Sequence, residues 1–199
     1  MSTTVLYMSM SLDGFIAGPN DGPGNGLGDD GHRLHDWLSG GEPSGPSGVP
    51  GRPSGVNGKV FDELMATGAV VTGRRTFELA GGWGGDHHDG VPIFVLTRRE
   101  PDSETGQWPL VSYVSDVTTA MAQAKLAAGD KNVLVHGAGT AQLALAAGVL
   151  DELEIHLISV LLGQGRRLFN HLGPEHIELE GTRIIEGPGV THMHYRVQR

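Results

Sequence analysis

Apolar residues are grouped along this chain in short blocks separated by glycine turns. Val5-Leu6-Tyr7-Met8-Ser9-Met10-Ser11-Leu12 is apolar enough for a core strand; it stops at Asp13-Gly14 and resumes as Phe15-Ile16-Ala17 before Gly18-Pro19. In residues 59–66, Val60, Phe61, Leu64 and Met65 recur at helical spacing, and Gly68 ends the helix. Ala69-Val70-Val71-Thr72 reads as a buried β-branched strand, and Gly73 leads from it into a helix opening Arg74-Arg75-Thr76-Phe77. Residues 91–97 form a strand ending at Arg98-Arg99, and residues 111–114 a shorter one. Ser115 or Asp116 then caps a helix running to about residue 128. Gly129-Asp130 breaks it before Val133-Leu134-Val135-His136, a short strand that passes through Gly137-Ala138-Gly139-Thr140 into an Ala/Leu helix.

Strands and helices therefore alternate from about residue 59 to residue 148, the pattern of a parallel sheet with crossover helices. In such sheets ligands bind at the carboxyl ends of the strands. Gly73, Arg98 and Gly137 are all expected there. After Gly148 the pattern shifts to residues 153–160, then 177–185 and 191–197, the last two joined by the hairpin-type turn Glu186-Gly187-Pro188-Gly189. The expected fold is α/β, a mostly parallel sheet finished by antiparallel strands. Residues 19–58 are rich in Gly, Pro, Ser and Asp, interrupted only by 32–38, where Leu34, Trp37 and Leu38 share one side of a short helix. This stretch reads as a mobile excursion, and residues 81–89 as another loose loop.

Length and composition narrow the function. At 199 residues the chain fits one domain with a substantial core. It has no cysteine, so disulfides and thiolate metal ligands are excluded. A formal charge of −9 argues against nucleic acid, which calls for a basic face. No basic leader opens the chain and no apolar run approaches the roughly 20 residues of a membrane span. The expectation is a soluble cytoplasmic protein acting on a small molecule, with no nucleic-acid or membrane partner.

Arg74-Arg75-Thr76 and Thr97-Arg98-Arg99 are two cation-plus-hydroxyl clusters at strand ends. The planar guanidinium donates two parallel hydrogen bonds to a phosphate. With the glycine turn at 137–139, whose following helix start suits an anion, they fit a pyrophosphate plus a further phosphate, as in NADP. A plain mononucleotide fits too, and exposed arginines on surface turns are the competing reading. No nucleophile constellation is visible, and hydride transfer needs none. Asp13 either contacts a polar substrate or simply forms the turn before Gly14. His136 ends its strand just before the glycine turn and is expected at a pocket. The ten histidines include His192 and His194 on one strand face and His87-His88 in a loop, but no tight zinc-site spacing, so no metal is expected.

These residues resemble a family. Residues 10–17, Gly73-Arg74-Arg75-Thr76-Phe77-Glu78, Leu96-Thr97-Arg98, His136-Gly137-Ala138-Gly139 with residues 146–153, and Leu161-Leu162-Gly163-Gln164-Gly165 through Leu168-Phe169 are similar to the dihydrofolate-reductase-like superfamily. The closest part of it is the reductase domain of the riboflavin-biosynthesis deaminase–reductase and its stand-alone relatives. The resemblance covers residues 3–18 and 60–199. It implies a three-layer fold, a mixed sheet of about eight strands with flanking helices and an antiparallel C-terminal hairpin, binding NADPH at the carboxyl edge. By that resemblance Gly73, Arg74 and Thr76 serve the phosphates, and Thr97 and Arg98 the adenosine 2′-phosphate. Gly137, Ala138, Gly139 and Thr140 line the pyrophosphate, with Ala17 and Leu96 completing the cofactor set. Ser11, Asp13, Phe15 and Trp37 are expected against the substrate, and Asp13 and His136 are the candidate catalytic residues.

The implied activity is NADPH-dependent hydride transfer to a heterocycle, related to reduction of 5-amino-6-(5-phosphoribosylamino)uracil. Riboflavin reductases usually carry a glutamate before the glycine turn, where this chain has His136, and nothing in the sequence reads as the deaminase half. Pterin reduction of the dihydrofolate reductase type is an alternative, with Asp36 the nearest acid. A catalytically silent nucleotide-binding protein is another. A homodimer is expected by analogy.

Overall fold

The computed structural model describes residues 2–39, 52–101, 105–174 and 176–198. Eight strands form one sheet: β1 (Thr4–Ser11), β3 (Ala69–Gly73), β4 (Ile93–Leu96), β5 (Val111–Val114), β6 (Val133–His136), β7 (Glu152–Ile158), β9 (Leu179–Gly187) and β10 (Val190–Val197). Their order across the sheet is β5-β4-β3-β6-β1-β7-β10-β9. Every pair from β5 to β7 is parallel, and β10 pairs antiparallel with both β7 and β9. β2 (Phe15–Ala17) and β8 (Arg166–Arg167) make a small separate ribbon. The expected mixed sheet with an antiparallel tail is thus the architecture found.

Among the described residues four α-helices cover the sheet: α1 (Gly55–Met65), α2 (Arg74–Leu79), α3 (Val117–Ala128) and α4 (Ala138–Ala146). α3 and α4 cover one face, where Leu6, Val71, Val133, Val135, Leu153 and Ile155 meet helix alanines. Small side chains on these helices let them lie close, so the β-branched strand residues are sealed completely. Asp116 is the residue that caps α3, its carboxylate accepting the Thr119 N–H at 2.8 Å. On the other face α1, α2 and a 3₁₀ helix, Gly31–Ser39, cover Val5, Tyr7, Val70, Leu134, Ile158 and Val190.

Two expectations about the loops need correction. Part of the stretch 19–58 is built, not loose. The side-chain amides of Asn20 and Asn25 both donate to Asp29, at 2.6 and 3.0 Å, and the 3₁₀ helix buries Leu34 and Trp37. Residues 40–51 of the excursion lie outside the described residues. α1 begins at Gly55, a turn before the apolar pattern starts. That first turn is secured by a polar anchor: Asn57 is buried, donating to the Pro188 carbonyl at 3.2 Å.

The loop 81–89 is also packed. Gly82, Trp83 and Gly84 all adopt left-handed backbone, and Gly82 and Gly85 lie flat against the Trp108 ring. Polar and glycine-rich segments of this kind carry no periodic signal, because they are held by side-chain hydrogen bonds and by backbone packed on aromatic faces.

Candidate functional site

Because β1, β3, β4, β6 and β7 run parallel, their carboxyl ends emerge along one rim. Gly73, Arg98 and Gly137 stand on that rim, after β3, β4 and β6. β3 and β6 are direct neighbours, with Thr72 opposite His136, so the two turns that follow them touch. Gly137 has φ 88°, and a Cβ there would run into the Thr76 hydroxyl. A Cβ on Gly73 would come within 3.0 Å of the Thr140 Oγ1. Thr140 is buried, and its hydroxyl has no hydrogen-bond partner among the described residues. Above Gly139 there is open space. The first N–H groups of α4, at residues 138–140, precede the first intrahelical bond, Ala141 N–H to Gly137 O at 3.0 Å. Five expected residues (Gly73, Thr76, Gly137, Gly139, Thr140) therefore share one cradle, with Ala138 between them in sequence.

The arginines divide. Arg98 is exposed at the end of β4, with no ion-pair partner among the described residues. Arg74 is engaged locally, pairing with Glu78 and donating to the Glu100 carbonyl at 2.8 Å. Arg75 and Arg166 converge on Asp21, each with a contact of 2.9 Å, and so clamp the loop after β2 to α2 and β8. Thr97 accepts the Arg99 N–H at 3.1 Å, and Leu96 ends β4 half-buried. A groove of about 350 Å³ runs beside α2, lined by Arg74, Phe77, Trp108 and Tyr113. It lies on the β5 flank of the sheet and contains none of the glycine-turn residues, so size alone does not mark the site.

At the end of β1 Asp13 is held as a hydrogen-bond acceptor. Its carboxylate accepts from Ser11 Oγ at 2.6 Å and from the N–H groups of Leu162 and Gly163 at 3.2 and 2.7 Å. The Ser11 bond, with help from these amides, holds its pKa below the ordinary carboxylate value. A carboxylate so held is ionised at neutral pH and anchors the 162–163 turn. Ser11 also accepts the Phe15 N–H at 2.9 Å, and the Arg167 guanidinium lies 4.4 Å from the Phe15 ring centre. Ala17 is buried in β2. These residues build the corner beneath the rim.

His136 points to the α2 side of the sheet. Its Nε2 lies 3.2 Å from His87 Nε2; His87 Nδ1 is 2.7 Å from His88 Nδ1, and His88 Nε2 is 3.2 Å from the Thr67 carbonyl. Trp83 stacks over His136 at 6.0 Å. Burial, reinforced by the neighbouring imidazoles, pushes His136 down to about 4 and His87 to about 2. The sequence shows His87 and His88 only as a loop pair, because 83–88 gives no periodicity that would place them or Trp83. The adjacency of His87, His88 and Trp83 to a strand-end histidine is a tertiary fact.

Further along the same face, β1, β7 and β10 carry a buried polar row. Trp37 donates Nε1–H to Ser9 Oγ at 2.9 Å, and its ring centre is 4.6 Å from His156 and 5.0 Å from His192. His156 Nδ1 is 2.9 Å from His192 Nδ1, and His192 Nε2 is 3.1 Å from Asn57 Oδ1. Glu154 is fully buried, paired with His194 and with Arg183, the latter at 3.2 Å. The Glu154 bond raises His194 above its ordinary value, whereas burial lowers His156. Sequence reasoning placed Trp37 and put His192 and His194 on one strand face, without connecting either histidine to Glu154 or His156. Glu154 and His156, alternating with Leu153, Ile155 and Leu157, are the signal the sequence offers for this row.

Two outcomes follow from this geometry. Replacing Gly137 with alanine forces a left-handed Cβ into the Thr76 hydroxyl, so Gly137→Ala is expected to lose about 1–3 kcal/mol of stability in urea unfolding. Stability is also expected to fall with acid. His136 and His87 have folded pKa values below 6.5, so the unfolded chain takes up more protons as pH drops from 6.5 towards 4. His194, raised, works in the opposite direction, its contribution fading as pH rises through its folded pKa. The net slope approaches about 1.4 kcal/mol per pH unit for each uncompensated proton. Melting temperature against pH should show it, with His136→Asn flattening the fall.

Known proteins of this architecture match the chain. A candidate riboflavin biosynthesis protein from Shewanella sp. PV-4 superposes with a TM-score of 0.74 at 22% identity, covering 99% of both chains. RibD of Acinetobacter baumannii gives 0.64 at 16% identity; this chain is covered completely and spans 59% of that protein. A pyrimidine reductase-like protein from Corynebacterium diphtheriae gives 0.59 at 13%, covering 92% of its chain. At these identities the likeness speaks for the fold. No curated protein matches the chain in sequence. Residues 3–190 match the RibD C-terminal domain, and the chain belongs to that family.

Proposed function

We propose that this chain is an NADPH-dependent reductase that passes hydride to a heterocycle of the ribosylaminopyrimidine type. Membership of the RibD C-terminal domain family supports a riboflavin-pathway reductase. The observation that carries the cofactor reading is the meeting of two glycine turns on adjacent strands. There the buried Thr140 hydroxyl has no partner, and the space above Gly139 is open. Only glycine at 137 lets the backbone come this close. An anionic diphosphate fits such a cradle, taking the first N–H groups of α4 and the Thr140 hydroxyl. Arg98 and Thr97, one strand further out, would hold a 2′-phosphate. Arg74 would contribute only after release from Glu78.

NADPH, when bound, supplies the hydride; the chain's own residues position and shield. Trp37 and Ser9 close the floor on the α1 side, and the anchored Asp13 fixes the corner at the end of β1. His136, neutral at pH 7 and tied to His87, is the candidate polar contact for the substrate ring. Asp36 is exposed beside the buried Trp37, so the 3₁₀ helix turns its acid outward, which disfavours the pterin-reductase reading. The homodimer belongs to this proposal too. β9 closes the sheet as an edge strand and exposes Leu179 and Ile184, surface that a second copy would cover.

Fluorescence titration should give tighter binding of NADPH than of NADH, by roughly tenfold or more. Arg98→Ala should abolish that difference while sparing NADH affinity. Equal affinities in the unaltered protein would remove the 2′-phosphate assignment. Consumption of NADPH with a ribosylaminopyrimidine phosphate tests the reaction; binding without turnover across pyrimidines and pterins would favour the silent nucleotide-binding alternative. Light scattering on the eluting protein should give twice the 21.0 kDa chain mass, and a monomer at micromolar concentration would discard the dimer.

A further inference from the structure

The buried polar row has a feature that neither the cofactor cradle nor the substrate corner uses. Glu154 and His156 are two apart on β7 and so share its α1-side face; His192 on β10 lies directly opposite His156 in register. One ligand atom from each of the three lies within 4.8 Å of the other two. Glu154 and His192 are fully buried and His156 is 2% exposed. Yet Glu154 Oε1 and His156 Nε2 have no hydrogen-bond partner among the described residues. Buried polar atoms are nearly always paired, because leaving one unpaired forfeits its hydration with no return. Two orphans in neighbouring side chains ask for a common partner.

The surrounding bonds orient these donors as the outer contacts of a metal site do. His192 Nε2 faces the Asn57 amide oxygen at 3.1 Å, an acceptor, so the ring donates there and its Nδ1 lone pair turns inward to His156 Nδ1 at 2.9 Å, a bond that a bound ion would replace. Gly187 makes room for this, since a Cβ at that position would fall where Asn57 Oδ1 sits. The second oxygen of Glu154 is held by His194 and Arg183, and the Arg183 charge is taken up by a two-point pair with Glu63 at 2.8 and 2.7 Å. Trp37 roofs both imidazoles.

We propose that Glu154, His156 and His192 form a binding site for a divalent transition-metal ion of the zinc class. Two imidazoles and a carboxylate are a donor set that suits zinc, with a further coordination position for a small exogenous ligand. The ion would tie β7 to β10 beneath Trp37. The site is separate from the strand-end cradle and stands whether or not the reductase reading does. Sequence spacing concealed it: the third ligand lies on the returning strand, 36 residues after His156.

The test uses the full chain, purified without a tag and stripped with chelator. Competition between the protein and a chromogenic chelator should report one tightly bound zinc per chain. Zinc at a hundredfold excess over its Kd should raise the melting temperature by roughly 5–10 °C. His156→Gln and His192→Gln should each weaken binding at least tenfold, while His32→Gln, on the exposed surface, should not. Unchanged affinity in both site variants, or no stoichiometric zinc in the unaltered chain, overturns the proposal. Cobalt on the unaltered chain decides the matter should those variants not fold. It should give visible ligand-field bands and quench Trp37, one of three tryptophans. Quenching that survives Trp37→Phe in full puts the ion elsewhere and overturns it too. NADPH affinity measured alongside is expected to be the same with and without zinc, so failure of the cradle and failure of the metal site are read separately.

Discussion

The structure depends on one constraint: β1 is paired in parallel with a strand on each side. Thr4–Leu6 run beside Val133–Val135 and residues 5–11 beside residues 152–158. A parallel neighbour cannot be reached by a tight turn, so the chain must cross over a face and re-enter at the starting edge. Repeating that step for β3, β4, β5 and β6 sends every carboxyl end to the same rim. The meeting of the Gly73 and Gly137 turns follows from this pairing. Their contact is a consequence of β3 lying next to β6 and adds no separate design.

The two faces of the sheet share the work unequally. The α3/α4 face is almost wholly apolar, closed by alanines on the helices. Burial of that kind is non-directional and stabilises in proportion to area. The α1/α2 face carries Tyr7, Ser9, Glu154, His156, His192 and His136 in the same layer as its apolar residues. Burial and the Glu154 charge push the Tyr7 hydroxyl well above its ordinary pKa, so it stays neutral. Polar groups in such a layer are tolerated only with partners. This side is covered by α1, α2, a 3₁₀ helix and loops, which bring Asn57 from the first turn of α1 and Trp37, Trp83 and His87 from irregular backbone to specific atoms.

What was legible in the sequence follows the same division. Residues 69–72 and 133–136 announce themselves because short β-branched runs ending at a glycine have few other fates. Asp116 could be read as a cap because capping is local. The Gly137 turn was readable for the same reason, although its steric necessity became visible only once Thr76 was found behind it. The short helix at 32–38 was legible, but the loop leading to it and the loop 81–89 read as loose because their order comes from contacts distant in sequence: Trp37 with Ser9, Gly82 with Trp108. Asp13 shows the limit at a single residue. Its spacing admits an acid or a turn, and the N–H groups that decide for the turn lie about 150 residues away.

That long-range dependence has a physical corollary for how a site evolves on this sheet. The rim and the apolar face are fixed by topology and close packing, where a substitution perturbs many neighbours at once. The polar face is held by individual hydrogen bonds, each of which can be exchanged for another donor or acceptor of similar reach. His136 stands at the boundary: its backbone belongs to the rim, beside Thr72 on β3, and its ring to the chain of imidazoles leading to Thr67. A glutamate there, the usual residue in the riboflavin reductases this chain resembles, would bring a negative charge against His87 and under Trp83. His87 could keep a neutral ring beside that carboxylate only by donating to it and giving up its bond to His88, or else by taking up a proton. The loop 81–90 and the identity of residue 136 are therefore coupled. An imidazole at 136 meets His87 and lies under Trp83 without bringing a charge to the packed loop that faces it.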